Sequence, residues 1–371
     1  VREFPEREAL AARYALARVK TRNHNSDSEL RKALMLLLEI SDPDETVLLR
    51  ETACTVRNES SGARMAVRAL VETSSYCNND CYYCGLNRGN KKAHRYKLGR
   101  EDIVGCAKDA VSQGIRTVVL QSGEDGTHAG EVADTIADIK KIGDIAVTLS
   151  FGERPRHEYA LWKEAGADRY LLRIESTDPK LYASMHRNRK LESRLECLDA
   201  LQELGYQTGS GIMIGFPGQT AGHIADDLIY FTKRGFEMIG MGPFIPHPDT
   251  PFARAPSGSV RTTLNAIAAA RLCMPNVWMP ATTALGSMDK DWRPDALRSG
   301  ANVLMPNFSP QEKRKLYSIY PGKRCIGERT ALVQQECESI ARAGGLTVDW
   351  SRADAPAFAV TLGKASSAGP A

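Results

Sequence analysis

From about residue 65 onward, short apolar runs alternate with helix-period segments, and this alternation restricts the fold more than any other feature. Eight runs read as strands: 65–73, 117–121, 146–150, 169–175, 209–214, 238–243, 277–281 and 302–305. Between them the apolar residues recur with helical spacing over 102–113, 131–142, 158–165, 191–204, 221–234 and 260–273. Gly114, Gly143, Gly166, Gly205 and Gly235 stand where five of these helices should stop. Strands alternating with helices of this length make βαβ units and therefore a parallel sheet. Eight units are the count of a closed (βα)8 barrel of the TIM type, with an open doubly wound sheet as the rival. No reversal of the repeat is visible, so the α/β class with a closed barrel is the expectation.

Residues 1–60 are charged and helical in pattern, which predicts an N-terminal helical extension before a barrel over 61–345. Residues 346–371 are rich in Ala, Ser and Gly toward the end and predict a C-terminal tail without legible chemistry. At 371 residues, with 42% hydrophobic and 25% charged, the chain can bury a large core. A formal charge of +4 gives no argument for a nucleic-acid or membrane partner. No run of roughly 18 apolar residues is present, and the first thirty residues lack the apolar segment of a signal peptide. Nine cysteines, an odd number of which three cluster, fit a reducing compartment, here expected to be the cytoplasm.

The barrel makes a positional prediction, because active sites of this fold sit at the C-terminal ends of the strands. Cys77, Cys81 and Cys84 follow the first strand with the spacing C-x3-C-x2-C and the aromatic Tyr83 before the last. Three thiolates are one short of a closed tetrahedral zinc site. On a [4Fe–4S] cluster they leave one iron open to a small molecule. Other polar motifs fall at later strand ends: Gln121-Ser-Gly-Glu-Asp125, Ser150-Phe-Gly-Glu153, Arg173-Ile-Glu-Ser176, the loop after 238–243, and Thr282-Thr283. The alternative from another class is a zinc-stabilised binding protein using the three cysteines and His94.

The cysteine spacing with its aromatic resembles the signature of the radical S-adenosylmethionine enzymes. That likeness implies a [4Fe–4S] cluster on Cys77, Cys81 and Cys84, with S-adenosylmethionine chelated to the open iron and cleaved to a 5′-deoxyadenosyl radical. Gly123, Glu124 and Asp125 resemble the superfamily's second-strand motif for the methionyl amino group. Tyr83 and Ser150 are grouped with them as cofactor contacts. Glu175 and Arg194 are candidates for the ribose hydroxyls and the methionyl carboxylate, or for an ion pair. Met241 and Ile245 are candidates for an adenine pocket, or for the lining of the barrel mouth.

Longer runs are similar to the [FeFe]-hydrogenase maturase HydE family, among them Leu120-Gln-Ser-Gly-Glu-Asp125, Gly242-Pro-Phe-Ile-Pro-His-Pro-Asp-Thr-Pro251 and Tyr317-Ser-Ile-Tyr-Pro-Gly-Lys323. This resemblance implies a sulfur-containing, cysteine-derived iron carbonyl–cyanide precursor as substrate. Gln121, Arg173, Thr282, Thr283, Tyr317 and Tyr320 are the candidate substrate contacts. An electron donor and other hydrogenase maturases are the implied partners. Cys325 and Cys337 lack the clustering for an auxiliary cluster, so none is expected. A radical mutase resembling methylornithine synthase, acting on an amino acid, is the alternative within the same chemistry.

Overall fold

The computed structural model describes residues 27–324 and 332–355. The N-terminal part of the expected extension, Cys325 and the end of the tail lie outside the described residues. The chain opens with α1 (Asp27–Glu39) and α2 (Pro43–Ser61). Asp42 caps α2 by accepting from the amides of Asp44 and Glu45, and Pro43 takes the first helical position, where its missing N–H costs nothing.

The first barrel strand is interrupted at Arg68, giving β1 (Arg64–Val67) and β2 (Ala69–Ser74). After a short β3 (Asp80–Cys81), βα units follow: α3 (Arg100–Ser112), β4 (Thr117–Ser122), α4 (Ala129–Ile142), β5 (Ala146–Ser150), α5 (Arg156–Glu164) and β6 (Arg169–Leu171). Next come α6 (Pro179–Met185), a short β7 (His186–Arg187), α7 (Leu191–Glu203), β8 (Gln207–Ile214), α8 (Ala221–Arg234), β9 (Met238–Pro243) and α9 (Val260–Cys273). The predicted helices match α3 to α9, without α6, to within about two residues at each end.

Strands β2, β4, β5, β6, β8 and β9 form one parallel sheet in that order. Three isolated parallel bridges extend the ring: Met238 to Trp278, Pro280 to Val303, and Asn307 back to Leu70. With β10 (Val303–Leu304) paired to β1, the ring closes through all eight predicted strand positions. The closed barrel, rather than the open sheet, is therefore the architecture.

The extension lies outside the ring, with α1 on α8 and α9, and α2 on α9. Leu34, Leu37, Leu38 and Leu49 are buried there, each contributing about 1.5–3 kcal/mol. Helix α9 is covered on both sides, which explains its nearly continuous buried sequence from Thr263 to Cys273. The barrel is completed by α10 (Thr283–Gly286), α11 (Arg293–Leu297), α12 (Gln311–Arg314), α13 (Val333–Ala343) and β11 (Thr347–Asp349).

The sequence boundary at 346 does not mark an end of structure. Strand β11 pairs with β1, and the following segment crosses the base of the barrel. The Arg352 carbonyl accepts from Thr117 and Arg169, and Asp354 accepts from Arg169 (2.6 Å) and Gln207 (2.8 Å). Arg169 is fully buried at the start of β6 and needs acceptors there; the tail provides them.

Candidate functional site

The segment from Ser75 to Leu98 leaves β2 at the C-terminal mouth of the barrel and carries the three cysteines. Its irregular backbone is organised around Arg95, whose guanidinium donates to the carbonyls of Ser75, Leu86 and Asn87. Asn87 donates to the Cys84 carbonyl and accepts from the Asn90 amide, so local amide side chains replace regular secondary structure. Strand β3 pairs antiparallel with β7, setting Cys81 opposite His186. The loop is thereby held from the α6–α7 side.

Cys77, Cys81 and Cys84 form no disulfide, and each is half-buried. Burial is the main cause raising all three thiols; Cys84 is pushed up to about 12, with Cys77 adding to the effect. Cys81 is raised by burial and then by both other thiols, so the three lie close enough to repel as thiolates. Among the described residues no three His, Cys, Asp or Glu side chains gather around one point as a single metal ion requires. A cubane asks less, because its three thiolates bind three different irons, and its cationic irons relieve the repulsion. Three thiolates on one loop match the number of irons that such a cluster offers to protein ligands while leaving the fourth open. His94 is exposed and lines a cleft with Lys92, His247 and Lys315.

Two glycines show how closely the second and third strand ends approach this loop. A Cβ on Gly123 would lie 2.2 Å from the Tyr76 carbonyl oxygen and 2.8 Å from the Cβ of Cys77. Gly152 has φ +73°, and a Cβ there would lie 1.8 Å from the Glu124 side chain. Glu124 is thereby folded over the strand end. It pairs with Arg194 at 3.3 Å and Arg189 at 3.4 Å, while Glu153 pairs with the same two at 2.7 and 3.5 Å. Arg194 is buried on α7 and also donates to the Arg173 carbonyl. Two carboxylates and two guanidiniums thus form a compact network beside the cysteines. Asp125 is not part of it: its Oδ1 accepts from the amide and hydroxyl of Thr127, and its Oδ2 is buried with no protein partner.

Tyr83 is held by a short polar chain. His186 Nδ1 lies 3.1 Å from the Tyr182 carbonyl, which only accepts, so Nδ1 carries the hydrogen. Its Nε2 then accepts from the Tyr83 hydroxyl, also at 3.1 Å. Burial, reinforced by Arg194, pushes His186 down to about 3, so the imidazole is neutral. Tyr83 joins an apolar cluster with Leu181, Met185, Met213, Phe216 and Phe244.

Strand register identifies the interior face. Glu72 is opposite Gln121 and Gln121 opposite Ser150, so the three share one layer, while Val71, Leu120 and Leu149 belong to the core beneath the helices. Gln121 donates to the Tyr317 hydroxyl at 3.2 Å. Thr282 faces Gly242, and its hydroxyl is buried without a protein partner, as is that of Thr148. Thr283 begins α10, and Tyr320 is half-buried in the loop after Tyr317. Arg173 and Glu175 pair with each other at 3.1 Å, and Glu175 Oε2 accepts from the Met213 amide. Glu175 has φ +62°, a left-handed conformation that is strained for a residue with a side chain. Burial raises its carboxyl, against the pull of Arg173.

Met241 does not reach the mouth. Met238, Gly240 and Gly242 take the inward positions of β9, so the period of two turns Met241 to the outer core, where it is 1% exposed. Met213, one position inside Ile212 and Ile214, occupies the mouth instead. Ile245 is half-buried in the loop after β9.

Sequence reasoning also missed the interior ion pair of Glu72 and Lys323, at 2.5 Å and with both side chains 2% exposed. Asn307 donates to the second Glu72 oxygen at 2.9 Å. A lone Glu inside the apolar run 65–73 was the available signal. His186 and Arg189 had no comparable signal, because only tertiary pairing joins them to the cysteine loop.

Residues 71–231 match the model of the radical SAM superfamily. The chain is 46% identical over 300 residues to the [FeFe] hydrogenase maturase subunit HydE of Thermotoga maritima, covering 81% of this chain and 86% of that one. It is 27% identical to 3-methylornithine synthase of Methanosarcina acetivorans, covering 77% and 81%. In fold it is similar to the crystal structure of methylornithine synthase (PylB), with TM-score 0.76, 22% identity, and coverage of 88% and 96%.

Proposed function

The chain belongs to the HydE family of [FeFe] hydrogenase maturases, within the radical S-adenosylmethionine superfamily, and from that membership we propose its substrate and the roles of its residues. Family membership makes it an enzyme and implies a [4Fe–4S] cluster and S-adenosylmethionine. When bound, these supply a reductive cleavage that yields a 5′-deoxyadenosyl radical. The proposed substrate is a sulfur-containing, cysteine-derived iron carbonyl–cyanide precursor of the hydrogenase cluster. The observation that carries this choice over an amino-acid mutase is the 46% identity along four-fifths of the chain, against 27% to the methylornithine synthase.

Cys77, Cys81 and Cys84 hold the cluster. Tyr83 and Met213 offer an apolar wall for the adenine, with Ile245 nearby in sequence to the same mouth. Glu124 and Arg194, through their shared network, orient the polar end of the cofactor, with Gly123, Asp125 and Ser150 at the adjoining strand ends and Glu175 for the ribose. A closed net of two acids and two bases suits this task because each group is already positioned and needs no reorganisation on binding.

Inside the barrel, Gln121, Arg173, Thr282, Thr283, Tyr317 and Tyr320 supply hydrogen-bond donors for an anionic substrate. The unpaired Thr282 hydroxyl is the clearest of these, since a buried donor without a partner favours a ligand that provides one. A single cluster is proposed: Cys337 is buried in the apolar face of α13, and Cys325 lies outside the described residues. The partners proposed are an electron donor and other hydrogenase maturases, with neither nucleic acid nor membrane. No helix among the described residues is long and apolar enough to cross a membrane. The clustered thiols suit the reducing cytoplasm.

Anaerobic reconstitution followed by electron paramagnetic resonance tests the chemistry. The reduced cluster signal should change on adding S-adenosylmethionine; a signal indifferent to it would refute the cofactor assignment. A cell-free hydrogenase assembly mixture with this protein as its sole HydE source then tests the substrate. Inactive hydrogenase from an intact, S-adenosylmethionine-responsive protein would point instead to a mutase.

A further inference from the structure

The surface above the cysteine loop carries a charge that the proposed chemistry has not used. Residues 76–100 and 186–190 contain nine Lys or Arg and a single acid, Asp80. They carry +8 in a chain whose total is +4, so all the rest together is negative. Arg95 and Arg189 turn inward to the loop carbonyls and to Glu124, and Lys92, Lys97 and Arg100 pair with Asp249, Glu131 and Asp134, which leaves four exposed cations. Arg88, Lys91 and Lys190 have no ion-pair partner among the described residues, and Arg187 reaches Asp80 only at 3.7 Å with 60% of its side chain exposed.

These cations are contiguous with the loop that holds the thiols. The Arg88 amide donates to the Asn79 carbonyl, and Arg187 is the register partner of Asp80 beside Cys81. Next to them a cleft of about 240 Å³ reaches Cys77 from outside, lined by Lys97, Asp125, His128 and the half-exposed ring of Tyr76. Exposed cations, an exposed aromatic and a path to Cys77 therefore all border the short stretch of loop from Tyr76 to Asp80.

We propose that the face formed by Arg88, Lys91, Arg187 and Lys190 around Tyr76 is the docking surface for an acidic protein carrying a low-potential one-electron centre. The inference rests on the cluster assignment to Cys77, Cys81 and Cys84. One electron passes from the reduced centre of the partner to the oxidised cluster, with no bond made or broken and no proton moved. The four cations adjoin residues 79 and 80 of the loop, beside the cleft that reaches Cys77. Opposite charge raises the encounter rate and orients the partner, at the cost of sensitivity to salt.

The test is stopped-flow bleaching of the reconstituted cluster by a reduced, negatively charged plant-type [2Fe–2S] ferredoxin, with reduced methyl viologen, a small cation, as the comparison. The second-order rate with ferredoxin should fall at least tenfold between low and high ionic strength. It should also fall at least tenfold in the variant carrying Arg88→Glu, Lys91→Glu, Arg187→Glu and Lys190→Glu, while viologen reduces wild type and variant alike. A ferredoxin rate that is flat or rising with salt in the wild-type protein overturns the proposal, and this arm needs no variant to fold. So does a variant, loaded with iron, that ferredoxin reduces at the wild-type rate. Salt-sensitive binding of duplex DNA that leaves ferredoxin reduction untouched would reassign the face. Failure of the cluster assignment itself is distinct: the wild-type protein would then hold no cluster responsive to S-adenosylmethionine.

Discussion

Lys323→Met removes the cation from the only carboxylate in the first barrel strand, and its effect can be worked out in advance. Glu72 and Lys323 are each 2% exposed, so the variant leaves a buried carboxylate with Asn307 as its remaining close partner. Breaking such a pair by losing one member costs about 3–5 kcal/mol. An unfolding entropy of about 2.1 cal/mol/K per residue over roughly 320 residues gives about 0.7 kcal/mol/K, so the melting midpoint should drop by about 4–7 °C. The loss also has a sign in pH. Burial already pushes the Glu72 carboxyl up, with Lys323 and Asn307 pulling it back. Without the lysine the folded value rises further above its unfolded value, so folding favours the protonated form. The deficit should then grow by up to about 1.4 kcal/mol per pH unit as the pH rises from the unfolded carboxyl value toward that raised value, and level off above it. Anaerobic differential scanning calorimetry at about pH 6 and about pH 8.5 reads both effects. Glu72→Gln combined with Lys323→Met should recover most of the midpoint, because no charge is left buried. A single variant as stable as the parent at high pH, or a double variant no better than the single, would refute the reasoning.

Cys81→Ala should lose bound iron and S-adenosylmethionine cleavage together; measured iron equal to the parent would remove this residue from the ligand set. Gly152→Ala places a methyl group 1.8 Å from Glu124 at φ +73°, so S-adenosylmethionine affinity measured by calorimetry should weaken at least tenfold (about 1.4 kcal/mol) with the iron content kept. Unchanged affinity would separate the Glu124 network from the cofactor. His186 is neutral with its pKa pushed down to about 3. Its folded value lies below its unfolded value, so stability is full above about pH 6.5 and falls below it, by up to about 1.4 kcal/mol per pH unit. His186→Phe should flatten that part of the urea-unfolding profile, and an identical slope would contradict the buried neutral assignment.

The sequence determined the repeat, the ring and the three-cysteine motif. The period-two and period-3.6 patterns after residue 65 encode local strand and helix preferences, and eight parallel units have few ways to bury both faces of their sheet. The cysteine spacing is likewise local, so Cys77, Cys81 and Cys84 were legible one after another along the chain. Tertiary structure decided what is shared between distant segments. Glu124, Glu153, Arg189 and Arg194 come from three separate βα units, and no sequence spacing joins them. Glu175 and Arg194, read as cofactor contacts or as members of an ion pair, found their partners in Arg173 and in Glu124 and Glu153 for the same reason. Met241 was misplaced toward the mouth because one residue of register turns a side chain to the opposite face. The tail was read as empty, yet Arg169, buried at the foot of β6, required the acceptors that Arg352 and Asp354 bring from the far end of the chain. Local pattern fixes which elements form; the need to satisfy buried charge in three dimensions fixes which of their residues meet.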